Sequence, residues 1–172
     1  MISDSHRRRL AAILASTALV LAQGTNAFAQ SRCLTPLEKT AFEVRMLQTE
    51  LMVATLTCRG VPGKDFSKQY EHFVTTHRDG LKRQSEVFQG HFKRGGGATQ
   101  MDRYVTSLAN NYSQASMSGT GAFCDRQGAV FERAATLQPP DLNRFAAERA
   151  EGHSIGVPVC RSADHASPAK KK

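Results

Sequence analysis

The sequence predicts an all-α fold: a single-domain bundle of about four to five helices pinned by two disulfides. Three observations predict it. Apolar residues recur every three or four positions through most of the chain, four cysteines follow an export-type leader, and no run of alternating β-branched residues appears. At 172 residues the chain is too short for a (β/α)8 barrel or a two-half dinucleotide fold. At 40% hydrophobic residues it is too apolar to be a disordered chain.

The leader comes first. Arg7-Arg8-Arg9 precede an apolar run from Leu10 to Ala22, and small and polar residues then lead to Ala27-Phe28-Ala29. A basic block, a short apolar run and an A-x-A site make residues 1–29 a secretory signal peptide, cleaved between Ala29 and Gln30. The apolar run falls short of the roughly 20 residues that span a bilayer. The arginines also fit a loose twin-arginine pattern, so the general secretory and twin-arginine routes both stay open.

Residues 30–160 form the expected helical domain. Thr35-Pro36-Leu37-Glu38 supplies an N-cap threonine, a proline at the first helical position and a glutamate three residues after the cap. Leu37, Ala41, Val44, Leu47, Leu51, Ala54 and Cys58 continue as an apolar stripe until Gly60 and Val61-Pro62-Gly63 stop the helix. Asp65 caps a second helix carrying Phe66, Tyr70, Phe73, His77, Leu81, Phe88 and Phe92, with Gly80 as a point of kinking or division. Gly95-Gly96-Gly97 ends it. Thr99 and Asp102 cap a third helix with Met101, Val105, Leu108, Tyr112 and Ala115 on one side. After a loop at Ser118-Gly119-Thr120-Gly121, a fourth helix from about Cys124 to Leu137 turns Phe131 and Ala134 inward. Pro139-Pro140 closes it, and Asp141 caps a short fifth helix with Leu142, Phe145 and Ala146. Residues 161–172 read as a disordered basic tail.

An even number of cysteines in an exported chain points to disulfides formed in an oxidising compartment. Cys33 and Cys58 flank a helix of about 23 residues, whose ends lie about 35 Å apart at 1.5 Å per residue. A disulfide tolerates only about 7 Å between Cα atoms, which disfavours Cys33–Cys58 and with it Cys124–Cys160. In an up-down arrangement the first helix ends where the third finishes and the fourth begins. Cys58–Cys124 and Cys33–Cys160 are therefore the preferred pairs.

The formal charge of +8 suggests a polyanion partner until its distribution is examined. Arg7 to Arg9 leave with the signal, and Lys170-Lys171-Lys172 sit at the extreme C-terminus. Between Cys33 and Cys160 there are 15 basic and 13 acidic residues, so no nucleic-acid partner is expected. The three terminal lysines would contribute at most weak contact with an anionic membrane surface, about 1 kcal/mol each.

Few constellations point to chemistry, and no catalytic residue, metal ligand set or cofactor is expected. Gly152-His153-Ser154-Ile155-Gly156 matches the G-x-S-x-G nucleophile elbow, which requires a strand before the serine and a helix after it. Here Val157-Pro158-Val159 follows and no strand precedes, so the segment reads as a glycine-rich loop. Lys93 and Arg94, beside Gly95-Gly96-Gly97, offer a possible anion contact, though the same charges also complement a helix C-terminus. His72 and His77 are five apart and point to different sides of a helix, and no HxxxH occurs. His77 falls on an apolar stripe, as a hydrogen-bonded core histidine would. Glu38, Glu43 and Glu50 read as helix-surface charges, Glu43 near Lys39 and Glu38 in the cap.

The string Leu47-Gln48-Thr49-Glu50-Leu51-Met52-Val53-Ala54, leading into Leu56-Thr57-Cys58, is distinctive. With Phe92-Lys93-Arg94, Tyr104-Val105-Thr106, Leu108-Ala109-Asn110 and Phe123-Cys124, it resembles a family of small secreted alphaproteobacterial proteins of unknown function. The resemblance spans about half the chain. It implies a bacterial, exported, cysteine-containing protein and carries no activity, substrate or catalytic residue.

The expectation that follows is a periplasmic or secreted, non-enzymatic module that binds a protein or another envelope component. The alternative is a small cell-envelope hydrolase whose polar residues, among them His91, Glu43 and Asp102, converge only in three dimensions.

Overall fold

Thr35 starts the helix around which the others pack. In the computed structural model, which describes residues 33–161, the Thr35 hydroxyl accepts the Glu38 N–H at 3.3 Å. The Glu38 carboxylate accepts the Thr35 N–H at 2.9 Å, which completes the capping box. The expected signal peptide and the basic tail beyond Arg161 lie outside the described residues. Helix α1 runs Pro36–Cys58, as its cap and glycine stop predict.

Five further helices follow among the described residues: α2 (Ser67–Thr76), α3 (Arg78–Gly95), α4 (Gly97–Met117), α5 (Thr120–Thr136) and α6 (Leu142–Ala150). A single 3-10 turn at Pro139–Asp141 precedes α6. All five pack against α1. The fold is all-α, and no helix among the described residues is long and apolar enough to cross a membrane.

The helix count exceeds the expected four to five because the second helix divides, and it does so at His77 rather than at Gly80. His77 leaves helical geometry (φ −100°, ψ 13°), although its N–H still reaches Phe73 O. Gly80 lies inside α3 for a steric reason. A Cβ there would stand 2.9 Å from Leu142 Cδ2, a core side chain of α6.

Other boundaries shift for equally local causes. Asp65 accepts the Ser67 N–H at 3.0 Å, but from one position outside the cap, which is Phe66. Helix α4 begins at Gly97 (φ +67°), so Thr99 lies within it and caps nothing. Helix α5 begins at Thr120, four residues earlier than expected, leaving only Ser118-Gly119 as a link and placing Phe123 in the core. Asp141 precedes α6, but its carboxylate bonds Arg144 at 3.0 Å and no helix N–H.

Two main apolar cores flank α1, with a minor third cluster of Met46, Leu108 and Ala150. The larger gathers Leu47, Leu51, Phe73, Phe131, Leu142 and Phe145 with the buried Cys58 and Cys124. The smaller lies at the N-terminal end of α1, where Phe42 meets Phe88 at 4.8 Å, Tyr104 at 5.0 Å and Phe92 at 5.8 Å between ring centres. Such pairs contribute about 0.5–1.5 kcal/mol each beyond their area. Leu37, expected on the apolar stripe, is instead exposed in the first turn.

The disulfides are Cys33–Cys160 and Cys58–Cys124, with Cα separations of 4.9 and 5.7 Å. The irregular segment after α6 is drawn back to the start of α1 by two backbone bonds. Leu34 N–H donates to Pro158 O at 2.8 Å, and Cys160 N–H donates to Leu34 O at 2.9 Å. These form one isolated parallel bridge, Leu34 to Val159, which sets Cys33 beside Cys160.

Loop length and burial rank the two disulfides oppositely. Their sequence separations of 127 and 66 differ almost twofold, which favours Cys33–Cys160 by about 0.6 kcal/mol of chain entropy. Cys58 and Cys124 are fully buried, so replacing them also opens a cavity, a term of about 1 kcal/mol or more. The Cys58→Ala/Cys124→Ala pair is therefore expected to lose more stability than Cys33→Ala/Cys160→Ala, by urea midpoint at matched slopes. The reverse order would mean that loop closure outweighs packing here.

Candidate functional site

Helix α1 carries three glutamates, and all three are buried, with side chains no more than 5% exposed. This corrects their reading as surface charges. Helices surround α1 on nearly every side, so a carboxylate on it has little water to turn to. Each is satisfied within the protein.

Glu38 ties α1 to α3. Its Oε1 accepts His91 Nδ1 at 3.0 Å and also the Arg94 guanidinium, while its Oε2 holds the cap at Thr35. Because an ionised carboxylate only accepts, His91 carries its proton on Nδ1 here. Burial pushes the Glu38 carboxyl up. The Thr35 N–H and hydroxyl, His91 and Arg94 outweigh that and hold it below the usual carboxylate range.

Glu50 ties α1 to α5 and α6. Its Oε1 accepts Gln127 Nε2 at 2.9 Å and Arg149 Nη2 at 2.6 Å, and its Oε2 faces Arg149 Nε at 3.4 Å. The Tyr112 hydroxyl lies nearby. Burial, followed by the Glu50 charge, raises its pKa and keeps it protonated. Glu43 pairs with Lys39 one turn earlier on its own helix.

The residues proposed for a hydrolase do not come together. His91 bonds Glu38 and not Glu43, and Asp102 lies on the exposed face of α4 beside Thr99, Arg103 and Thr106. The Thr35 hydroxyl, which accepts the Glu38 N–H, is engaged in the helix cap beside the Glu38–His91 pair. Ser154 of the G-x-S-x-G segment is exposed, and its hydroxyl accepts the Gly156 N–H at 3.2 Å within a loop.

Of the two candidate anion contacts, Arg94 is held on Glu38. Lys93 is exposed beside a cleft of about 90 Å³ between α3 and α4, lined by Gln89, Phe92, Gly97, Ala98 and Met101. Among the described residues no three His, Cys, Asp or Glu side chains cluster as metal ligands would.

His77 departs from expectation. It is 2% exposed, as a core histidine should be, yet neither ring nitrogen has a hydrogen-bond partner, and its ring packs 5.0 Å from Phe73. Burial, with a smaller contribution from His72, pulls its pKa below the ordinary histidine value.

The buried ties at Glu50, Gln127 and Arg149 were missed from sequence, although a signal was present. Phe42, Met46, Met52 and Val53 join the expected stripe to make α1 apolar in every direction, which marks a helix enclosed on all sides. The chain matches no family model, and no curated protein or solved structure is similar enough to it to count as a match.

Two acid-sensitive steps follow. Both groups have folded-state pKa values below their unfolded ones, so their contributions are full at high pH and fall as the pH drops. The His77 contribution starts to fall near pH 6.5 and that of Glu38 near pH 4.5. His77→Leu is expected to remove the first step and to raise stability at pH 7.5 by about 1–2 kcal/mol, because it eliminates two unpartnered buried nitrogens. Urea midpoints measured from pH 8 to about pH 2.5 check both. An unchanged step in His77→Leu would assign it to another group.

Glu38→Ala should cost about 2–4 kcal/mol, since it removes a cap and leaves buried His91 without its carboxylate. Arg94→Met should cost less than about 1 kcal/mol, because the arginine side chain is 59% exposed. Thermal or urea unfolding of both variants checks the ranking.

Proposed function

We propose that this protein is exported to the cell envelope and acts there as a non-enzymatic binding module for a protein or another envelope component. The observation that carries the non-enzymatic part is the use of α1's carboxylates. Glu38 and Glu50 bind neighbouring helices and Glu43 binds its own, so the groups best placed for acid–base chemistry are engaged in holding the fold. Two disulfides support the export part, because such bonds persist in oxidising compartments and are rare in reducing ones. The N-terminal signal pattern and the resemblance to small secreted alphaproteobacterial proteins point the same way.

Four measurements test this reading. N-terminal sequencing of the protein recovered from its native envelope should begin at Gln30, and its four cysteines should resist alkylation until reduced. Crosslinking followed by affinity capture of the tagged chain should return one specific envelope partner. An uncleaved N-terminus with free thiols would overturn the export reading. Hydrolysis of an envelope substrate that disappears in His91→Ala would overturn the non-enzymatic one.

A further inference from the structure

The irregular segment after α6, residues 151–160, forms a strap that returns to the start of α1. Gly152 and Gly156, both at φ +77°, supply backbone conformations that other residues rarely adopt, the first of them just past the end of α6. Ile155 and Val157 are half-buried against the smaller core that contains Leu34 and Phe42, both fully buried. A Cβ on Gly156 would stand 3.9 Å from the Tyr104 ring, in ordinary contact. The rest of the strap is largely exposed.

The two disulfides differ in access. Cys58 and Cys124 are fully buried, whereas Cys33 and Cys160 are each partly exposed. Thiol–disulfide exchange needs a thiolate to reach a sulfur of the bond, so the accessible disulfide is the labile one. The strap also depends on that bond. Its non-covalent contacts include the two backbone hydrogen bonds at Leu34 and the half-buried Ile155 and Val157. Contacts of that kind return less than the entropy lost in holding ten residues in one conformation, and the bond to Cys33 offsets the difference by fixing the far end.

We propose that Cys33–Cys160 is a redox latch: a dithiol opens it while Cys58–Cys124 stays closed, and the strap then lifts from the smaller core on a hinge at Gly152. In the first step a thiolate of the dithiol attacks one sulfur of the pair. The Cys33–Cys160 bond breaks, a mixed disulfide forms, and the other cysteine leaves as a thiolate that takes up a proton. The second thiolate of the dithiol then displaces the remaining cysteine, which is protonated in turn, and the dithiol ends as an intramolecular disulfide. Two electrons and two protons pass from the dithiol to the protein. The helices keep Cys58–Cys124 and the ties at Glu38 and Glu50, so the change is confined to the strap and the apolar surface under it. The latch does not depend on what the chain binds.

The test uses the disulfide-intact chain, with dithiothreitol as the dithiol. Thiols are trapped with N-ethylmaleimide at intervals and located by peptide mass mapping. Cys33 and Cys160 should be labelled about tenfold faster than Cys58 and Cys124. Hydrogen exchange is then followed by NMR at a dithiol concentration that opens only the outer bond. The Leu34 N–H should lose protection about tenfold, with Leu47 and Leu51 in the middle of α1 unchanged. Cys33→Ala/Cys160→Ala should show the same loss without dithiol, and with the helical circular dichroism retained. If that variant does not fold, the partly reduced wild type still decides. Equal labelling rates at the two disulfides overturn the latch. A Leu34 N–H that stays protected after the outer bond opens, or one that loses protection together with Leu47 and Leu51, overturns the hinged strap.

Discussion

The enclosure of α1 is the constraint on which the rest of the structure depends. A helix surrounded by others on nearly every side must have each of its polar groups answered by one of them. An uncompensated buried charge costs several kcal/mol, against a total stability of about 5–15 kcal/mol for a domain. Glu38 and Glu50 therefore specify which helices lie beside α1 and at what height. Glu38 is near its start and calls for His91 and Arg94 of α3, while Glu50 is further along and calls for Gln127 of α5 and Arg149 of α6. Apolar packing alone would tolerate sliding of one helix along another, but these ties hold only one register.

The disulfides extend the same logic to both ends of α1. Cys33 lies just before its cap and Cys58 is its last residue, so each end of the central helix is covalently fixed to a segment distant in sequence. What remains for interaction is the outer surface of the surrounding helices and the narrow seam where Arg45 emerges. The glutamates of α1, by contrast, are already taken up by structural partners.

Much of this fold was legible in the sequence because its signals are local. The cap at Thr35, the proline after it and the glycines beyond Cys58 bound α1 to the residue, and helix length then restricted the cysteine pairing. The boundaries that shifted are those set by contacts between helices. Gly80 is kept for Leu142 of α6, and α5 starts early so that Phe123 can reach the core. Neither contact leaves a mark in a single segment. The buried glutamates were misread because glutamate on a helix is usually a surface residue. The partners that bury Glu38 and Glu50, namely His91, Gln127 and Arg149, lie 53, 77 and 99 positions away, beyond any local pattern.

His77 and Arg45 are both under-satisfied groups in or near the interior, and the difference between them is instructive. An imidazole can shed its charge, so His77 stays neutral and its two unpartnered nitrogens carry only a dipolar desolvation penalty. That is a tolerable local cost, and it explains why the residue can occupy a helix junction without a partner. A guanidinium has no such escape. Burial lowers the Arg45 pKa, but the group remains a cation at any pH at which the protein is folded. Its charge is met by the Ser85 hydroxyl, by the face of Phe88 and by the water that its partial exposure admits. Full burial thus makes His77 a weak point in stability, while Arg45, still partly open to water, keeps its charge solvated.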